Sequence, residues 1–310
     1  MSLESDRLSE QRPLGRASDF PPEVLRLFDQ YVHGQIDRRA FIDSAGRFAA
    51  GGIGGAGLLA ALSPRFAFAQ KVSPTDARIK AEFVEIDSPA GYGKVRGYLV
   101  RPAQAAGKLP VVLVVHENRG LNPHIEDIAR RLALDNFIAF APDALHTLGG
   151  YPGDEDKARA LFGQLDQAKV REDFIAASRY AHALPAGSGR LGVVGFCFGG
   201  GMVNFLATRL GSTMVAGVPF YGPGPAADQV PQIKAELQLH HAGNDERINA
   251  GWPAYEAALK AANVRYEAHI YPKTEHGFNN DTTPRFDEAA ARQAWDRTLA
   301  FFNRTLRAAG

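Results

Sequence analysis

The sequence predicts an α/β fold in which a mostly parallel sheet of eight strands is covered by helices on both faces. Three short runs of apolar residues, at 111–115, 137–141 and 191–195, have the solid pattern of strands buried on both sides. Helix-like stretches alternate with these runs, which is typical of a parallel sheet. The chain has 310 residues, 45% of them hydrophobic and 22% charged, so it can build one large globular core.

Two further strands open the predicted sheet, at 80–87 and 94–101. The segment SPAGYG between them has the glycine and proline of a hairpin-like turn, so these strands should pair antiparallel. The remaining strands are expected near 111–115, 137–141, 191–195, 215–220, 236–241 and 265–271. The helices are expected near 123–135, 154–163, 166–184, 198–210, 251–263 and 284–308. Since no Ser/Gly-rich linker or repeat interrupts this part, we predict one domain at 70–310, preceded by a leader at 1–69.

Charge and cysteine content exclude several classes of partner and site. The 35 Lys and Arg residues against 34 Asp and Glu residues leave a net charge of +1, which supplies no basic field for nucleic acid. The single cysteine, Cys197, excludes an intrachain disulfide and any multi-cysteine zinc or iron–sulfur site. Its thiol is therefore either a packing group or a chemical one.

The leader has the features of an export signal. Arg38 and Arg39 precede an uncharged stretch at 48–64, and Ala67 and Ala69 follow it in the small-residue pattern of a cleavage site. This arrangement resembles a twin-arginine (Tat) signal, which implies a periplasmic or secreted protein, cleavage after Ala69 and no stable membrane anchor afterwards.

An alternative interpretation of the leader is an amphipathic N-terminal arm, in which Leu25, Phe28 and Val32 line one face of a short helix. A leader that is not used for export would leave the protein in the cytoplasm.

A glycine pattern in the leader imitates a dinucleotide-binding fingerprint, with Gly52, Gly54 and Gly57 spaced as G-x-G-x-x-G. The fingerprint requires a preceding strand rich in β-branched residues, and the segment SAGRFAAG before it is no such strand. We therefore predict no nicotinamide or flavin cofactor.

The strongest chemical signal is the segment Gly195–Gly201, which reads GFCFGGG between an apolar run and a helix-like stretch. It has the form of a nucleophile elbow, in which glycines two places before and after the nucleophile let strand and helix pack closely. Cys197 takes the place of the usual serine. The helix that follows would favour its thiolate, and the backbone N–H of Phe198 would point to a developing oxyanion. The alternative is a buried thiol that packs like alanine.

An elbow of this type predicts an acid and a histidine later in the chain, each after a strand. Asp245 follows the strand near 236–241 and His276 follows the strand near 265–271, so the order is satisfied. Asp245 could instead be a turn or N-cap residue, with Glu246 competing for its role. His276 could be a solvated loop residue.

The loop after the third strand reads His116–Glu117–Asn118–Arg119. The backbone N–H of Asn118 is expected to be the second oxyanion donor, and Glu117 would hold the resting thiol in its protonated form. A surface pair of Glu117 and Arg119 is the alternative. No metal site is predicted, because His116–Glu117 lacks the second histidine of the zincin pattern. The adjacent His240 and His241 face opposite ways on a strand.

From about Phe83 onward the chain resembles the dienelactone hydrolase family of α/β-hydrolases, also called carboxymethylenebutenolidases. The segments that carry the resemblance are HENRGL, FAPDAL, GFCFGGG, AGNDER and EHGF. The resemblance implies an α/β-hydrolase fold, Cys197 as nucleophile, His276 as base, Asp245 as its orienting acid and Glu117 as the carboxylate that holds the thiol. It further implies a small-molecule ester or lactone as substrate and no cofactor.

Two positions depart from the family pattern, in which two arginines bind the carboxylate of the substrate. Asn280 stands in place of one of them, and the other aligns near Thr147, shortly after the APD segment. Dienelactone itself is therefore not the predicted substrate, and Arg119 is the candidate to replace the missing donors. His146 and Tyr151, in the loop LHTLGGYPGDED, are expected to shape the pocket. A thiol-based redox sensor and a catalytically silent ligand-binding module remain alternative functions.

Overall fold

The computed structural model describes residues 15–49 and 53–307, and in this part of the chain eight strands form one sheet. The strands are β1 (Ile79–Ser88), β2 (Gly93–Pro102), β3 (Leu109–Val115), β4 (Ile138–Pro142), β5 (Gly187–Phe196), β6 (Met214–Phe220), β7 (Glu236–Ala242) and β8 (Tyr266–Tyr271). Their order across the sheet is β1-β2-β4-β3-β5-β6-β7-β8. β2 runs antiparallel to both of its neighbours, whereas all other neighbouring strands are parallel.

The helices of the described chain come before the sheet and between its strands. They are α1 (Pro22–Val32), α2 (Arg38–Ala45), α3 (Gly55–Leu62), α4 (Phe66–Ala69), α5 (Pro123–Leu134), α6 (Glu155–Phe162), α7 (Gln167–His182), α8 (Phe198–Arg209), α9 (Glu246–Asn249), α10 (Trp252–Ala261) and α11 (Glu288–Arg307). Buried side chains of α7, α8 and α10 pack on one face of the sheet, and those of α5 and α11 pack on the other. The prediction of a mostly parallel, helix-covered sheet is confirmed.

The solid apolar runs owe their pattern to this double covering. Every residue of β3 is buried, and β3 lies between β4 and β5 in the middle of the sheet. All eight predicted strands are present, with bounds that differ by a few residues at most. The short helix α9 was not predicted, because its four residues lie in a loop and carry no apolar periodicity.

The helices of the leader pack on one another, and the backbone oxygen of Val32 at the end of α1 accepts a hydrogen bond from the side chain of Asn118 in the domain at 70–310. The amphipathic alternative is confirmed for α1, whose Leu25 and Phe28 are buried in a cluster with Phe41 of α2 and Leu59 and Leu62 of α3. We call residues 22–62 the N-terminal arm, of which 50–52 are not described. No helix in the described chain has the length and apolar character needed to cross a bilayer.

Parts of three sequence-based predictions lie outside the described residues. These are the first 14 residues of the leader, residues 50–52 of the uncharged stretch, which include Gly52, and the last three residues of the predicted domain. The export signal and the cleavage after Ala69 therefore stay predictions.

Candidate active site

Cys197 lies at the sharp turn between β5 and α8, with φ 56° and ψ −112°. This left-handed backbone conformation is rare for a residue with a side chain and is typical of a nucleophile elbow. Gly195 and Gly199 flank this turn, and neither position has space for a side chain. A Cβ on Gly195 would lie 2.2 Å from the backbone oxygen of Gly199, and one on Gly199 would lie 2.3 Å from that of Val115. The turn therefore presents the sulfur at the carboxyl edge of the sheet.

Asp245 and His276 meet beside this turn, as the sequence predicts. Nδ1 of His276 lies 2.5 Å from Oδ2 of Asp245, and both side chains are buried. The other carboxylate oxygen accepts a hydrogen bond from the backbone N–H of Ile248 at 3.2 Å, so Asp245 is also the N-cap of α9. The N-cap interpretation is thus confirmed, and the role as orienting acid stays a prediction that the contact with His276 supports. A carboxylate held at two points fixes the ring that it contacts.

A ring nitrogen of His276 and the sulfur of Cys197 lie within 4.8 Å of each other. Nε2 of His276 is buried and has no hydrogen-bond partner within the described chain. Only 5% of His276 is exposed, which excludes the solvated loop position considered from the sequence.

A second histidine, which the sequence analysis missed, also reaches the sulfur. Nε2 of His33, at the end of α1, lies 3.4 Å from Sγ of Cys197. Nδ1 of the same ring lies 2.7 Å from the backbone oxygen of Asp29 and 3.2 Å from its Oδ1. Because a carbonyl oxygen only accepts, Nδ1 carries the proton and Nε2 is the basic atom of the neutral ring. The rings of His33 and His276 meet edge to face at 4.7 Å between centroids.

The charges around the sulfur favour a thiolate. Burial raises the pKa of the Cys197 thiol, but the positive charge of the nearby His276 lowers it to about 6. Burial lowers the pKa of His276, but the Cys197 thiolate and Asp245 raise it to about 10. A thiolate–imidazolium pair therefore dominates at neutral pH. This differs from the expectation of a protonated resting thiol.

In His33 and Asp29, too, burial and charged contacts shift the pKa in opposite directions. Burial lowers the pKa of His33, yet the contacts with Asp29 and Cys197 raise it above its ordinary value. Burial also disfavours the charged form of Asp29, but its hydrogen bond with His33 and the nearby cations hold its pKa well below the usual range. The arm thus brings a complete carboxylate–imidazole pair to the sulfur.

The ligand atoms of Cys197, His33 and His276 lie within 4.8 Å of one another, a spacing that suits a metal ion. A guanidinium nitrogen of Arg247, however, lies only 2.9 Å from Nε2 of His33. A cation bound to these atoms would face that positive charge at close range. We therefore interpret the three side chains as groups for proton transfer.

The predicted oxyanion donors are free to act as donors. The backbone N–H groups of Asn118 and Phe198 have no acceptor within the described chain, and Phe198 opens α8. Glu117 lies at the same cavity as Cys197, but its carboxylate accepts a hydrogen bond from the side-chain amide of Asn280 at 2.9 Å. The sulfur contacts His33 in its place, so the role of Glu117 stays a prediction.

The three predicted pocket residues have different positions. Arg119 lines the cavity, is 5% exposed, and donates to the backbone oxygen of Val32 at 3.3 Å. It pairs with Glu155 at 3.4 Å, so the alternative of a surface pair with Glu117 is wrong. Tyr151 donates to Glu155 at 2.8 Å and does not line either cavity at the sulfur. His146 lies farther away, with Nε2 3.3 Å from a carboxylate oxygen of Glu85.

Two cavities meet at Cys197, with His33 on the wall of both. One, of about 50 Å³, lies between the arm and the domain at 70–310 and also contacts His276. The other is a groove of about 580 Å³, lined at its apolar side by Phe162, Phe198 and Ile248. This groove has the volume of a small-molecule site.

The sequence held one signal for His33. Asp29 and His33 are four residues apart on a predicted amphipathic helix, so they share a face and can interact. Nothing in the sequence shows where that helix docks, because its contacts with the sulfur span 164 positions of chain.

Comparisons with known proteins agree with this geometry. The profile of the dienelactone hydrolase family matches residues 95–306, and a profile described as YqhI-like matches residues 13–50. The chain is 57% identical over 105 residues to "Putative hydrolase fragment YghX" of Escherichia coli (strain K12), covering 34% of this chain and 90% of that protein. It is 32% identical over 245 residues to "Putative carboxymethylenebutenolidase" of the same organism, covering 74% of this chain and 89% of that protein.

A solved structure, that of a "Putative Dienelactone Hydrolase" from Klebsiella pneumoniae subsp. pneumoniae MGH 78578, superposes with a TM-score of 0.63 at 28% identity. The match covers 73% of this chain and 99% of that one. The fold, the elbow and the family profile agree, and the chain therefore belongs to the dienelactone hydrolase family, whose members are carboxylic ester hydrolases.

Proposed function

We propose that this protein hydrolyses activated esters or lactones through a thioester formed on Cys197. The observation that supports this most directly is the buried group of Cys197, His276 and Asp245, in which the thiol pKa is lowered to about 6. A thiolate is the nucleophilic form of cysteine, so a resting ion pair is ready to attack a carbonyl carbon.

The first step forms the thioester. The thiolate attacks the carbonyl carbon, and the oxygen that becomes negative is held by the N–H groups of Asn118 and Phe198. The carbon–oxygen bond to the alcohol then breaks, and the imidazolium of His276 protonates the leaving oxygen. Asp245 keeps the ring of His276 in the orientation that this transfer needs. In the second step, water hydrolyses the thioester and releases the acid.

The substrate class follows from the sulfur and the groove. A thiolate also leaves easily, so its attack on an ester with a poor leaving group reverts, and enol esters, aryl esters and lactones are favoured over amides. The apolar side of the groove suits an aromatic or alkyl group. Dienelactone itself is not proposed, because Asn280 bonds Glu117 and Arg119 is engaged by the arm.

The test is hydrolysis of p-nitrophenyl esters and a panel of lactones by the full chain and by Cys197→Ala and Cys197→Ser. We expect the alanine variant to lose turnover and the serine variant to lose most of it, because an alcohol lacks the low pKa of this thiol. The same turnover in wild type and Cys197→Ala would refute the mechanism.

A thiol-based redox sensor is a second candidate function, and the lowered thiol pKa favours it. Mass spectrometry after treatment with an activated ester or with dilute peroxide separates the two functions. An acyl adduct supports the hydrolase, and selective oxidation without acylation supports the sensor. A silent binding module would give neither, and only ligand-dependent melting.

We also propose export by the Tat-like leader. The support is the pattern of Arg38, Arg39, the uncharged stretch and the small residues before Gln70. N-terminal sequencing of periplasmic protein tests it, and a chain that keeps Met1 and occurs only in the cytosol would contradict it.

A further inference from the structure

Of the two imidazoles that lie near the sulfur in the described part of the chain, that of His33 also lines the 580 Å³ groove. His276 lines the 50 Å³ cavity but does not line the groove. When the alcohol leaves after the first step, water refills the groove that the alcohol occupied. The basic nitrogen that faces this water is Nε2 of His33.

The contacts of His33 prepare this nitrogen to accept a proton. The backbone oxygen of Asp29 fixes the proton on Nδ1, which leaves Nε2, 3.4 Å from the sulfur, as the ring nitrogen with a lone pair. Arg247 donates to the same lone pair at 2.9 Å, and a donor there is compatible only with an unprotonated Nε2. The charged groups that face the ring are Asp29, Arg247, His276 and the Cys197 sulfur. The contact with Arg247 thus assigns a neutral ring to His33, and the raised pKa makes that ring a stronger base than an ordinary imidazole.

From this geometry we propose that His33, oriented by Asp29, is a second catalytic residue, the base that activates water in hydrolysis of the thioester. The proposal rests on the proposed function and assigns its second step to the N-terminal arm. In this step the oxygen of water forms a bond with the acyl carbon while its proton moves to Nε2 of His33. The bond between carbon and sulfur then breaks, and the electron pair returns to the sulfur as thiolate.

The proton balance closes without any other reactant. His276 gives one proton to the alcohol in the first step, and His33 gains one from water in the second. The regenerated thiolate of Cys197, 3.4 Å from Nε2 of His33 and within 4.8 Å of a ring nitrogen of His276, takes that proton from His33 and gives it to His276. One water is consumed, one alcohol and one acid are released, and both imidazoles return to their initial state. While His33 carries the proton, the guanidinium of Arg247 moves away from Nε2, since two donors cannot share one contact.

The experiment follows the two steps separately in His33→Gln, using a p-nitrophenyl ester two pH units above the thiol pKa of about 6. We expect a burst of p-nitrophenolate in the first turnover at a rate within about threefold of wild type, since the first step keeps its ion pair with His276. Steady-state turnover should fall about 100-fold or more, the usual contribution of a general base. Intact-mass measurement should show the acyl group accumulating on Cys197.

Two variants of α1 complete the design. Asp29→Asn should also keep the burst rate and lower the steady-state turnover, but by less than His33→Gln does. The reason is that the ring of His33 stays in place and is only oriented less firmly. Arg26→Ala, which changes a side chain that is 68% exposed on the same helix, should behave as wild type in both phases. Thermal melting of all variants confirms that the arm stays folded.

Equal losses in burst and steady state, with no acyl adduct, would show that His33 only supports the structure and would overturn the proposal. Turnover faster than wild type would overturn it as well, because the arm would then obstruct the site. Failure of the proposed function is distinguishable, since it appears as unchanged hydrolysis in Cys197→Ala, whatever His33→Gln does.

Discussion

Replacing His276 by Gln should abolish the thiolate at neutral pH. Burial alone favours the neutral thiol, and the charge of His276 is the largest influence in the opposite direction. The pKa of Cys197 should therefore rise from about 6 to its ordinary value of 9.0 or above. A difference of three pKa units corresponds to about 4 kcal/mol. At pH 7 the thiolate fraction should fall from about 90% to about 1% or less.

The assay is the ultraviolet absorbance of the thiolate, followed across pH and corrected with Cys197→Ser, since no other cysteine contributes. His269→Gln is the matched control, because it removes an imidazole that contacts Glu267 and His240 instead of the sulfur. It should titrate as wild type does. If His276→Gln keeps the wild-type midpoint, the ion pair is not the cause of the low thiol pKa, and the reasoning is wrong.

Three further predictions concern the protonation of the Cys197 thiol, the carboxylate of Asp245 and the stability of the N-terminal arm. Because the pKa of Cys197 is depressed to about 6, kcat/KM should fall about tenfold per pH unit below that value as the thiolate is protonated, and a pH–rate profile checks this. Asp245→Asn should lower kcat by about 10⁴-fold, as when the orienting acid of a triad is replaced, while the amide oxygen still caps α9. Phe28→Ala should destabilise the arm by about 3–5 kcal/mol through the cavity it leaves, and limited proteolysis should then cut the arm before the domain at 70–310. Resistance equal to that of wild type would contradict the last prediction.

The fold could be predicted because its signals are local and strong. The solid run of β3 is explained by its burial on both faces, and the elbow around Cys197 combines a strand, a strained turn and a helix in seven residues. The order of Asp245 and His276 after later strands then follows from the topology, since parallel strands bring their carboxyl ends to one edge.

What could not be predicted depends on docking between distant segments. The apolar face of α1 and the backbone of Val32 hold His33 at the sulfur. The backbone oxygen of Val32 accepts hydrogen bonds from the side chains of Asn118 at 3.0 Å and Arg119 at 3.3 Å. The same contacts decide that Arg119 is engaged inside the protein. A sequence pattern indicates that a helix has an apolar face, but it does not indicate which surface that face covers.

The two carboxylate–imidazole pairs come from opposite sides of the predicted cleavage after Ala69. A chain cut there keeps Cys197, His276 and Asp245 and loses Asp29 and His33 together. One gene product would then exist as two chemically different enzymes, a precursor with two bases at its sulfur and a mature form with one. Cleavage would in that case change the rate of thioester hydrolysis as well as the location of the protein.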